Sequence, residues 1–126
     1  MAIIDLYNRM GGEEGVRRLI DVFYDHMDAL PEARLVRALH PPDLAESRAK
    51  LFMFLSGWSG GPNLYIEKYG HPRLRMRHMP FSIGEVERDQ WMLCMRKALD
   101  ECIRDEEVKA FLDERFSHIA DFMRNQ

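Results

Sequence analysis

A chain of 126 residues, 46% hydrophobic and 31% charged, has the balance of a folded globular protein and the length of one domain with a sizeable core. Its 18 basic and 21 acidic residues leave a formal charge of -3, which argues against general nucleic-acid binding, where affinity comes mainly from neutralising phosphates. No apolar run approaches the roughly 18 residues of a membrane span, and MAIIDLYNRM lacks the basic-then-apolar layout of a signal peptide, so a cytoplasmic location is expected.

After a short N-terminal turn, Gly11 and Gly12 open the first long helix. From Glu13 to Leu30 the residues Val16, Leu19, Ile20, Phe23, Tyr24, Met27 and Leu30 follow the three-four spacing of one helix face, and Pro31 ends it. A brief helical piece runs to His40, where Pro41 and Pro42 stop it. Asp43, with Glu46 three residues on, has the spacing of a capping box and predicts a second helix. Its inner face carries Ser47, Leu51, Phe54, Leu55 and Trp58; Gly60, Gly61 and Pro62 terminate it. Ser82 and Glu85 repeat the cap signal before a third helix with Val86, Trp91, Met95, Ala98, Leu99, Cys102 and Ile103 as inner positions. A last helix spans about Glu106 to Met123, with Val108, Phe111, Leu112, Phe116, Ile119 and Phe122 in its apolar pattern. No segment alternates with period two, so the chain is all-α. Cys94 and Cys102 sit eight apart in one helix, about 12 Å of rise, too far to bridge.

One stretch does not fit this pattern. Residues 62 to 81, PNLYIEKYGHPRLRMRHMPF, form a long connection with at most a turn or two of helix expected, yet they are too apolar for a disordered linker. Lys68, Arg73, Arg75 and Arg77 stand here without an acid, beside His71 and His78, which suits a small anion.

The run GGPNLYIEKYGHPRLRMRHMPFSIGEVERDQWMLCM resembles the central signature of the group II truncated hemoglobins, and the likeness extends through LYNRMGGEEGVRRLIDVFYDHM and DLAESRAKLFMFLSGW. It implies a two-over-two sandwich of four helices around a b-type heme, in a single domain over residues 1–126, with a loop-like segment replacing most of one helix. Implied too are dioxygen, nitric oxide and carbon monoxide as ligands. Nitric oxide or peroxide detoxification would need an outside reductase, and the alternative is a redox or gas sensor acting through a protein partner.

By the family's RHxPF pattern, His78 matches the proximal ligand of the heme iron, a role that needs a neutral imidazole whose second nitrogen is oriented by an acceptor. His71 precedes Pro72 and reads as structural or near the heme edge. His26, about 200° around the helix from Tyr24, faces away, and His118 has no partner motif. Ser47 matches the place of a conventional distal histidine, and Tyr24 and Trp91 match the tyrosine and tryptophan that face ligand. Bound dioxygen carries partial negative charge, and a phenol O–H and an indole N–H can both donate to it. His40 departs from the family's usual Phe or Tyr, and three roles stay open for it: donor to ligand or water, gate, or space filler. Leu51, Phe54 and Leu55 are expected on the distal face, and Met76, Phe81 and Met95 elsewhere around the porphyrin. Lys50, Arg77, Tyr65 and Arg75 are expected to meet the propionates.

Overall fold

The three-four spacing of residues 13 to 30 becomes α2 (Gly12–Ala29), which buries Val16, Leu19, Ile20, Phe23, Tyr24 and Met27. The protein is a computed structural model that describes residues 5–126; the first four residues of the N-terminal stretch read against a signal peptide lie outside them. A short α1 (Leu6–Arg9) crosses so close to α2 that a Cβ on Gly15 would stand 1.9 Å from the Met10 carbonyl oxygen. Only glycine fits there.

A 3₁₀ turn at Pro31–Ala33 and α3 (Arg34–Ala38) follow, then α4 (Ala45–Trp58), α5 (Leu64–Tyr69), α6 (Leu74–His78), α7 (Glu85–Cys102) and α8 (Glu106–Phe122). The most extensive packing is α2 on α7, with α7 on α8 and α2 on α4 next. Two helical pairs, α2 with α4 and α7 with α8, therefore share one core. Phe23, Leu19, Ile20, Met95, Leu99, Leu112 and Phe116 fill it, all at most 2% exposed.

α4 works on two sides. Phe52, Leu55 and Ser56 are buried, whereas Leu51, Phe54 and Trp58 are half-buried on a neighbouring face. Phe52 was absent from the expected inner face because a helix with two apolar sides shows no single stripe.

Several local expectations are corrected. The cap of α4 is Leu44; Asp43 sits one residue earlier and its Oδ1 accepts from the Ala45 N–H at 2.9 Å. α7 is capped at Gly84, whose N–H donates to Glu87 Oε1 at 2.7 Å, so Ser82 lies outside the cap. Val86 is exposed because the chain enters α7 by burying Ile83, and Phe122 is exposed at the last residue of α8. The stretch from 62 to 81 holds two short helices, α5 and α6, more helix than expected. Gly70, at φ +80°, breaks the chain between them in a conformation other residues rarely adopt. Both cysteines are free, and burial pushes the Cys94 thiol up to about 11.

Candidate functional site

Between α4, α6, α7 and α8 lies a cavity of about 600 Å³, within the roughly 300–1,000 Å³ usual for small-molecule and cofactor sites. α4 brings Ser47, Lys50, Leu51 and Phe54 to it, and α5 brings Tyr65. Arg77 and His78 come from α6, Phe81 from the residues after it, Tyr24 from α2, Trp91 from α7, and His40 from the corner beyond α3.

His78 is half-buried at the end of α6, and its Nδ1 lies 2.6 Å from the Leu74 carbonyl oxygen. A carbonyl only accepts, so Nδ1 carries the hydrogen, and in the neutral ring Nε2 keeps its lone pair. The segment after His78 is held from α8's end. Asn125 Nδ2 donates to the Phe81 carbonyl at 2.7 Å, and Asn125 Oδ1 accepts from the Ile83 N–H at 2.9 Å.

Across the cavity, Tyr24 packs edge-on against Phe23 at 4.8 Å and His40 at 5.8 Å between ring centroids. Burial pushes its phenol well above the ordinary value, against a weaker pull from the Arg48 charge, so it stays protonated and can donate. Trp91 is wedged between Phe23 and Phe116, with centroids 5.0 and 6.2 Å away. Among the described residues no hydrogen bond engages the Tyr24 hydroxyl or the Trp91 indole N–H, so both donors are available to whatever fills the cavity.

His40 Nδ1 lies 2.9 Å from the Val36 carbonyl oxygen. Burial lowers its pKa, the bond to Val36 opposes that, and the Arg37 and His78 charges add to the lowering. With its Nδ1 hydrogen directed at Val36, the neutral ring offers Nε2 as an acceptor. His40 also borders a second, more open cleft of about 480 Å³ beside Met27 and Leu30, a position that suits a gate.

At the rim, Arg77 donates through Nε to the Pro72 carbonyl at 2.7 Å, and its guanidinium sits 5.7 Å from the Tyr65 ring centroid. Lys50 pairs with Glu46 at 2.9 Å and lies 5.5 Å from the Tyr69 ring. Arg77 makes no ion pair among the described residues and is the cation left for an anionic ligand. Arg75 is not brought to the cavity: its guanidinium lies over Phe122 at 5.6 Å. Met76 is 55% exposed and also outside, whereas Met95 is buried and lines the cavity. His71 accepts from the Arg73 N–H at 3.1 Å, His26 meets the Glu101 carboxylate, and His118 is exposed; none of the three reaches the cavity.

Three polar residues escaped the sequence reading, the first being Glu87, which lines the cavity while accepting from the Gly84 N–H. Arg88 lines the cavity while paired to Asp121 at 2.7 Å and Asp89 at 3.0 Å, and Asn125 braces the segment after His78. The partners of Arg88 and Asn125 lie 33 to 47 residues away, except Asp89, so no local spacing marks them. α8 brings Phe116, Ile119, Ala120 and Met123 to the cavity, of which the apolar pattern marks Phe116 and Ile119.

The bacterial-like globin family model matches residues 5–125. The group II 2-on-2 hemoglobin of Agrobacterium tumefaciens superposes with a TM-score of 0.95 at 44% identity, over 100% of this chain and 98% of that one. The group 2 truncated hemoglobin of Bacillus subtilis is 40% identical over 115 residues, 91% of this chain and 85% of that protein. A truncated oxygen-avid haemoglobin from Bacillus subtilis has a TM-score of 0.88 at 38% identity, over 96% of this chain and 99% of that one. This chain belongs to the group II truncated hemoglobins.

Its two helical pairs are the two-on-two arrangement of that family, whose cofactor is heme. The cavity of this truncated hemoglobin fits the group on its own chemistry. Apolar walls from α4, α7 and α8 suit a porphyrin face, an uncompensated guanidinium at the rim suits propionates, and two imidazoles, His78 and His40, each keep Nε2 free of hydrogen bonds among the described residues. No helix among the described residues is long and apolar enough to cross a membrane.

Proposed function

We propose that this chain is a single-domain heme protein that binds dioxygen reversibly, together with nitric oxide and carbon monoxide. Heme, when bound, supplies the iron at which a diatomic ligand is taken up. His78 presents Nε2 as proximal ligand, fixed in tautomer and orientation by its Nδ1 hydrogen bond to Leu74. Tyr24 and Trp91 donate toward the diatomic from α2 and α7, and Ser47, Leu51 and Phe54 close the distal side from α4. Arg77, with Tyr65 beside it and Lys50 near the adjoining Tyr69, would hold the propionates. Phe81 covers the edge after α6.

The observation that carries this reading is His78, a cavity residue whose Nδ1 is committed to a carbonyl and whose Nε2 is free; His40 shares that arrangement, and the RHMPF match singles out His78. Reconstitution with hemin tests it. The wild type gives a Soret band with the pattern of an imidazole-ligated iron, and His78→Gly loses that pattern until free imidazole is added. An unchanged spectrum in His78→Gly would remove His78 from the iron. Detoxification of nitric oxide or peroxide at the same site is the catalytic extension of this reading, and an outside protein supplies its electrons.

A further inference from the structure

α6 carries no buried residue. Among the described residues, four of the seven large apolar side chains exposed beyond two fifths lie on it, just after it or at the end of α8; Leu35, Ile66 and Val86 are the others. Met76 at 55%, Met79 at 56% and Phe81 at 42% lie on α6 and just after it, and Phe122 at 56% ends α8. The two elements adjoin, since Arg75 stacks on Phe122 and Asn125 bonds to the Phe81 carbonyl. Exposed apolar residues gathered in one patch mark an interaction surface, and methionine, arginine and aromatic residues are the types enriched in such interfaces.

The charge of this patch says what sort of partner fits. Lys68, Arg73, Arg75 and Arg77 are exposed and make no ion pair among the described residues. Elsewhere Arg9, Arg37, Arg48, Arg88, Arg96 and Lys109 are each matched to an acid of the chain itself, while Arg18, Arg34, Lys97 and Arg104 make no ion pair among the described residues but are not consecutive in one short segment. A protein of net charge -3 thus keeps a local cationic surface uncompensated. Only Arg77 is turned to the cavity rim. Arg73 and Arg75 face neither the cavity nor an internal acid.

The position says what the partner does. His78 is the last residue of the same five-residue helix, so a protein seated on Met76 and Met79 is separated from the cavity by one helix, about 10–12 Å across. We infer that the face formed by α6 and the end of α8 docks an acidic electron-transfer protein, which reduces the ferric form of this chain through the wall carrying His78. This rests on the heme reading. The exchange is one electron, lost by the partner's reduced flavin or iron–sulfur cluster and gained by ferric iron, with no bond made or broken in this chain.

The test uses ferric, heme-loaded protein with a reduced acidic flavodoxin as probe, followed by stopped-flow absorbance, and an oxidised flavodoxin for titration calorimetry. With Arg73→Glu/Arg75→Glu, affinity and reduction rate both fall at least tenfold at about 50 mM salt, and the deficit shrinks at about 1 M, where the Debye length is only about 3 Å. Met79→Ser weakens binding at both salt concentrations. The control Arg34→Glu/Lys97→Glu makes the same charge change elsewhere and moves the rate less than threefold. Arg73→Gln/Arg75→Gln repeats the test with a milder change should the reversal disturb folding. Equal losses in patch and control variants, or no loss in either, overturn the docking surface. So does binding to anionic phospholipid vesicles or duplex DNA that matches the flavodoxin and shares its dependence on Arg73 and Arg75, or self-association abolished by the same variants. Each variant is checked for its Soret band and for reduction by dithionite. A wild type that takes up no hemin sinks the heme reading, whereas intact spectra with unchanged flavodoxin kinetics sink the docking alone.

Discussion

The α2–α7 crossing and the segment around α6 are built on opposite principles. Where α2 meets α7, Leu19, Ile20, Phe23, Met95, Ala98 and Leu99 are at most 1% exposed, and contact is almost wholly apolar. α6 buries nothing; its orientation is set by side chains bonding to backbone, His78 to Leu74 within it and Arg77 to Pro72 just before it, while Asn125 braces the residues after it at Phe81 and Ile83. Apolar burial is strong but indifferent to direction, whereas hydrogen bonds are weak in net energy and fix orientation. A frame needs the first property. A residue that must present one particular ring nitrogen needs the second.

This contrast is open to direct attack, beginning where the effect is largest. Leu19→Ala, at a site with no exposure, costs about 2–5 kcal/mol in chemical denaturation, while Met76→Ser on α6 stays within about 0.5 kcal/mol. Comparable losses for the two would erase the distinction between frame and segment. Next come the donors that the frame presents to the cavity. Tyr24→Phe and Trp91→Phe each remove one N–H or O–H donor, worth about 1.4 kcal/mol, and each is expected to speed oxygen dissociation about tenfold by flash photolysis or stopped flow. Rates unchanged in both variants would show that neither donor touches ligand.

The frame was largely legible in the sequence because it obeys a period. α2, α7 and α8 appear within a residue or two of the apolar stripes that predict them, since a stripe is the direct imprint of burial. α4 was legible in extent but not in its second buried face, because Phe52 and Phe54 point to different neighbours and blur the period. In the α5–α6 segment the residue types were readable and their placement was not. His78, Arg77 and Phe81 reach the cavity as the family pattern implies, but Arg75, two residues before Arg77, turns away to Phe122. Asn125 left no local mark, because its partners are more than forty residues distant. A bond closed by tertiary structure has no period to betray it.

Asn125→Ala sharpens the comparison at the next level down. It removes an acceptor for the Ile83 N–H and a donor to the Phe81 carbonyl, for a net loss of about 1–3 kcal/mol confined to the segment after His78. Amide exchange at Ile83 should quicken and hemin should leave faster, while amides of α2 and α7 keep their protection. Uniform loss of protection across the chain would mean that the segment and the frame unfold as one unit.

The smallest effect is expected at His40, where the two kinds of construction meet: its ring packs on Tyr24 of the frame and its Nδ1 is tied to the Val36 carbonyl. Burial holds its folded pKa below the ordinary histidine value of about 6.5. Above that value the ring is neutral in both folded and unfolded chains, and its titration contributes nothing. As pH falls below it, the unfolded chain takes up a proton that the folded chain refuses, so stability is lost down to the lowered folded pKa and no further. His40→Phe has no such proton to take. Its melting temperature should therefore fall less than that of the wild type between pH 7 and pH 5, in thermal scans of the heme-loaded proteins. Parallel falls would show that His40 is protonated in the folded state as readily as in the unfolded one, and that its ring is wetter than its burial beside Tyr24 implies.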